Sequence, residues 1–141
     1  MAYILHLETT TQQCSVALSF KGKCIAEKEL LTEHFSHGEK LHVFIQEVLH
    51  HANVEFSPLD AIAISKGPGS YTGLRIGVSA AKGLCFALNI PLISVPTLEA
   101  LAHQVENPKG ILTSSFFERV FFDRFSLGFF GDFLAPFAIG L

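Results

Sequence analysis

The chain has 141 residues, 49% of them hydrophobic, with a formal net charge of -3 and no run of basic residues. That length and apolar share suit one domain that buries a core without disulfide or metal staples. The scattered charges argue against autonomous tight binding to nucleic acid, which requires many phosphates to be neutralised.

The opening MAYILHLETT has neither a basic n-region nor a small-residue cleavage site, so no signal peptide is predicted and the expected location is cytoplasmic. Residues 3–7 are apolar, and 14–20 mix β-branched and apolar residues in part-alternation. With the polar ETTTQQ between them they read as a hairpin. Lys21-Gly22-Lys23 is a tight turn into a third, edge-like strand over 24–31, with Glu27 and Glu29 outward. Ser36-His37-Gly38-Glu39 has the S-x-x-E form of a capping box, which satisfies two orphan donors at a helix start. Beyond it Leu41, Phe44, Ile45, Val48, Leu49 and Ala52 recur at steps of three and four, one apolar stripe on a helix whose other face carries Lys40, Gln46 and Glu47.

Ser57-Pro58 breaks the chain, 61–65 reads as a short buried strand, and the glycine-rich loop after it leads into a helix over about 72–88. Gly77, Ser79, Ala80, Ala81 and Gly83 form a row of small residues in that helix. Such a row lowers helix propensity but lets another backbone approach closely, which predicts tight helix packing. A strand over 91–95 and a helix over 97–106 follow, the latter with Leu98, Leu101 and Ala102 inward.

The order β-β-β-α-β-α-β-α implies a mixed sheet with helices packed on it, the topology of one lobe of the actin-like, ribonuclease-H-like α/β fold. The expected division is 1–107 for this lobe and 108–141 for a tail of unassigned structure. Nine of the fourteen phenylalanines fall between 116 and 137, with no period of two or of 3.6. The segment 125–141 is apolar but carries Asp132 and Pro136 and is shorter than the roughly 20 residues of a spanning helix, so no membrane association is expected.

Several residue groups invite chemistry. Gly67-Pro68-Gly69-Ser70-Tyr71-Thr72-Gly73 has the backbone N–H groups and following helix N-terminus of an anion cradle, but no GKS or GKT follows it as in a P-loop. Glycines used for a left-handed turn and close packing are the plainer reading. Glu8-Thr9-Thr10-Thr11 could contact phosphate or metal-bound water, and the same residues make a good polar turn. His34, His37, His42, His50 and His51 crowd one region, yet His37 and His42 are five apart, an awkward step for two ligands on one helix face. Cys14, Cys24 and Cys85 lack CxxC spacing and lie in apolar stretches, as reduced buried thiols do. No catalytic triad can be picked out.

With ILHLETTTQQCSVAL, the His37-Gly38-Glu39 helix start, KGPGSYTGLRIG at 66–77, AAKGL at 80–84 and IPLISVPTLEALA at 90–102 in that order, the chain resembles the TsaB family over about residues 1–107. Members of that family are dimerisation subunits for making threonylcarbamoyladenosine in tRNA and are degenerate relatives of the catalytic TsaD subunit. TsaD binds metal through an H-x-x-x-H pair; Thr97 and Leu101 stand at the matching positions, so the resemblance implies no metal site and no catalytic residues here.

The resemblance also implies a scaffold whose first two helices pack against TsaD, or against a second copy as a homodimer. His37, Leu41, Thr72, Arg75, Ile76, Ser79, Ala80 and Gly83 are the expected interface. Glu8, Thr9, Thr10, Gly67 and Gly69 would be a vestigial phosphate loop. No cofactor is expected in this chain alone, with ATP only at a shared complex interface. A TsaE-like ATPase is a further expected partner, and tRNA is reached only through the complex. Two departures stand out: Glu8 replaces the Asp of many relatives, and the chain ends soon after the first lobe where family members continue into a second. The alternative reading is a small actin-like nucleotide-binding enzyme, an ATPase or glycoprotease-like peptidase, built on Glu8 and the threonine loop.

Overall fold

The computed structural model describes residues 2–31 and 37–102. The tail, the Ser36 end of the capping box, His34 and the second half of the last predicted helix lie outside the described residues. Within them the elements follow the predicted order: β1 (Tyr3–Glu8), β2 (Gln13–Phe20), β3 (Lys23–Leu31), α1 (His37–His51), β4 (Ala61–Ser65), α2 (Tyr71–Leu88), β5 (Leu92–Val95) and α3 (Thr97–Ala102). The strands form one mixed sheet in the order β3-β2-β1-β4-β5. β1 pairs antiparallel with β2 and parallel with β4, and β5 runs parallel to β4.

Local chemistry sets each boundary. Lys21 and Gly22 both take positive φ, 53° and 74°, as a two-residue hairpin turn between right-twisted strands requires. Tyr3 and Phe20 close the open end of the β1–β2 hairpin with rings stacked 4.3 Å apart. The Ser70 hydroxyl accepts the Gly73 N–H at the start of α2, and Asn89, left-handed at φ 55°, ends it.

The central strands β2, β1 and β4 are buried on both faces, which is why β1 and β4 read as short, nearly continuous apolar runs. One face carries Leu5, Leu7, Val16, Leu18, Ile62 and Ile64 against α1 and α2. From α1 the stripe Leu41, Phe44, Ile45, Val48 and Leu49 is buried there, as its period predicts. The other face combines Ile4, Ala61 and Ala63 with buried polar groups, among them His6, Ser15 and Ser19. β3 is an edge strand with Glu27 and Glu29 exposed; Gln13 nonetheless donates to Glu29 across the strand pair at 2.6 Å. No described helix is long and apolar enough to cross a membrane.

Candidate docking site

The β1–β2 turn, the glycine loop and α2 meet at the carboxyl ends of β1 and β4. Glu8, Thr9 and Thr10 are all but fully buried there, at 0%, 0% and 1% exposure. The Thr10 N–H donates to Glu8 Oε1 at 2.7 Å, and the Ser65 hydroxyl donates to Glu8 Oε2. Ser70 N–H donates to the Thr10 carbonyl at 2.7 Å, so the glycine loop is bonded directly to the turn. A Cβ at Gly69 would stand 2.5 Å from Thr10 Cβ and 2.7 Å from Thr10 O; only glycine fits against that backbone. On the loop's other side Thr97 accepts the Gly67 N–H on its hydroxyl at 3.1 Å and donates its own N–H to the Gly67 carbonyl at 2.9 Å.

The residues expected as a vestigial phosphate loop are therefore brought together, with Gly69 packed on Thr10 and the Ser70 N–H already bonded to the Thr10 carbonyl. Thr97, where the resemblance places a lost metal-binding histidine, is fully buried and straps the loop instead. Among the described residues no three His, Cys, Asp or Glu side chains come together; His42, His50 and His51 are exposed. The described cysteines are free, with Cys14 and Cys85 buried and Cys24 half-buried.

Burial raises the Glu8 carboxyl above its ordinary value, against the opposing hydrogen bonds from Ser65 and Thr10, and burial lowers the His6 imidazole to about 3. The Glu8 contribution is fully present below the unfolded value of 4.5 and is lost as pH rises through the higher folded value. His6 contributes above its unfolded 6.5 and loses that contribution as pH falls toward 3. The two oppose each other between 4.5 and 6.5. Glu8→Gln, which keeps an acceptor for Thr10, is expected to gain stability over wild type as pH rises from 4.5 to neutrality. Urea melts of both proteins across that range measure the difference.

The small-residue row of α2 divides between two faces. Gly73, Gly77, Ala81 and Cys85 recur every fourth residue and are buried against the sheet. A Cβ at Gly77 would press on the Thr9 side chain and lie 3.1 Å from Ile64 Cδ1, so this half of the row serves the lobe's own packing. Gly77 and Ala81 are thus not available for a partner helix. Ser79, Ala80 and Gly83 lie on the outward face, and a Cβ at Gly83 would meet nothing within 4 Å among the described residues.

That outward face forms one wall of an open groove of about 700 Å³ between α2 and α1. Six of the expected interface residues line it together: Thr72, Arg75, Ile76, Ser79, Ala80 and Gly83. Leu41 does not belong with them. It is 0% exposed, because its place in the apolar stripe of α1 turns it toward the sheet, and it is a core residue. His37 begins α1, and its side chain lies outside the described set. The groove also contains His42, Tyr71 and Leu84, which the sequence reading missed. Tyr71 and Leu84 could have been found by extending the stripe of three- and four-residue steps to Arg75 and Ala80. Tyr71 is 74% exposed, with the Arg75 guanidinium 5.5 Å from its ring centroid.

The family model described as "TsaD: tRNA N6-adenosine threonylcarbamoyltransferase" matches residues 32–115. The chain is 36% identical to the tRNA threonylcarbamoyladenosine biosynthesis protein TsaB of Haemophilus influenzae, over 74% of its own length and 46% of that protein's. Against the TsaB of Escherichia coli the identity is also 36%, over 76% of this chain and 46% of the relative. The chain thus spans about half the length of the curated relatives it matches. Among solved structures, YeaZ from Pseudomonas aeruginosa superposes with a TM-score of 0.68 at 36% identity, covering 74% of this chain and 47% of that one. RuvC of T. thermophilus, at 13% identity and a TM-score of 0.50, covers 84% of this chain and 87% of its own and shares the fold alone. The sheet order, the glycine loop and this identity over about three quarters of its length agree: the chain belongs to the TsaB family.

Proposed function

We propose that this chain acts in tRNA threonylcarbamoyladenosine biosynthesis as a non-catalytic subunit, docking through the outward face of α2 onto a TsaD-like threonylcarbamoyltransferase. The names of its relatives support the pathway. The observation that carries the docking role is the groove beside α2, where small side chains and the bare Gly83 leave backbone within reach of an incoming helix. Glycine inside a helix costs about 1 kcal/mol relative to alanine, and nothing among the described residues accounts for it at Gly83. Tyr71 and Arg75 at one end of the groove are residue types that anchor protein interfaces.

The buried Glu8 and the packing of Gly69 on Thr10 favour a structural use of the glycine loop over a hydrolytic one. In this reading the chain contributes no cofactor of its own, reaches tRNA through the complex, and competes with a second copy of itself for the same face. Size-exclusion chromatography with a purified TsaD-type transferase tests it. A co-eluting complex is expected, and separate elution of both proteins at concentrations of tens of micromolar would contradict it.

A further inference from the structure

We infer that Thr9 is a positioning residue for docking: its hydroxyl fixes the placement of α2 and so the aim of the groove face. This rests on the docking role proposed above. Thr9 is fully buried, and its Oγ1–H donates to the Gly73 carbonyl at 2.8 Å, inside the first turn of α2. That carbonyl belongs to the helix ladder, so the hydroxyl is an added bond across the turn–helix seam.

Gly77, one turn further on, lies against the Thr9 side chain with no room for a Cβ, which lets the threonine sit in the gap between the two glycines. The Gly73-xxx-Gly77 pair is thereby an intramolecular socket for a threonine of the β1–β2 turn. The residues opposite the socket, Thr72, Arg75 and Ser79, belong to the groove or its rim.

Side-chain ends stand roughly 6 Å from a helix axis, so a roll of about 20° about that axis moves them by about 2 Å. Shifts of that size take an interface out of close packing. Thr9 is suited to prevent the roll because its hydroxyl bond to Gly73 and its packing at Gly77 act on the same buried face. Being fully buried, it acts through α2.

The test compares Thr9→Val, which keeps shape but loses the hydroxyl, with Thr9→Ser, which keeps the hydroxyl. Leu59→Ala serves as a control, a buried core change outside both the β1–β2 turn and α2. In the chain alone, Thr9→Val is expected to speed amide hydrogen exchange in the first half of α2 while β1, β2 and β4 exchange as in wild type. Its affinity for a TsaD-type transferase should fall about tenfold, as loss of one buried hydrogen bond allows. Thr9→Ser should retain wild-type exchange and affinity within about twofold, and Leu59→Ala should keep affinity although it lowers stability. Unchanged exchange in Thr9→Val, or an equal affinity loss in Leu59→Ala, would overturn the inference. If wild type itself does not bind the transferase, the docking role fails, and the exchange comparison still decides whether Thr9 holds α2.

Discussion

Gly77→Val is expected to remove at least about 3 kcal/mol of stability, whereas Gly83→Ala on the same helix should add about 0.5–1 kcal/mol. The added side chain at Gly77 would collide with Thr9 and crowd Ile64, and neither neighbour has space to retreat, since both are buried. Overpacking of this kind, with loss of the Thr9–Gly73 bond, consumes much of the stability of a domain this small. At Gly83 the added methyl meets open space, so only the helix-propensity gain remains. Urea midpoints of the two variants measure this; a shift of the same sign in both would show that the two faces of α2 are wrongly assigned.

Ala80→Arg should lower affinity for a TsaD-type transferase at least about 100-fold, near 2.7 kcal/mol, while leaving stability within about 0.5 kcal/mol. Ala80 is a half-buried part of the groove wall between Ile76 and Leu84. A long cation projected from that position fills the space a partner helix would occupy and brings an unpaired charge into the contact. Calorimetric titration gives the affinity, and a variant that binds like wild type would remove the groove from the interface.

The order of elements was readable in the sequence, because it follows from local rules, whereas the groove residues were expected only through the family resemblance. The stripe Leu41–Phe44–Ile45–Val48–Leu49 has the 3.6-residue period of a helix face, and 61–65 the apolar run of a strand buried on both sides. Which face of α2 meets the sheet was not readable. Its small residues occur on both sides of the helix, and only the position of Thr9, more than sixty residues away in the chain, separates Gly77 from Gly83. Leu41 is an expected interface residue only through the family resemblance, and its own periodicity places it inward. The threonine turn raised the opposite problem. Hydroxyls, a carboxylate and glycines are the materials of a phosphate site, and composition cannot say that Thr10 packs on Gly69 and takes the Ser70 N–H.

The most direct test of the docking face is a photoreactive amino acid placed at Ser79, in the groove, and separately at Glu27, on the exposed β3 edge, followed by irradiation with a TsaD-type transferase. The account predicts a covalent adduct with the transferase from position 79 and none from position 27. An adduct from position 27 alone, or from neither, would contradict it.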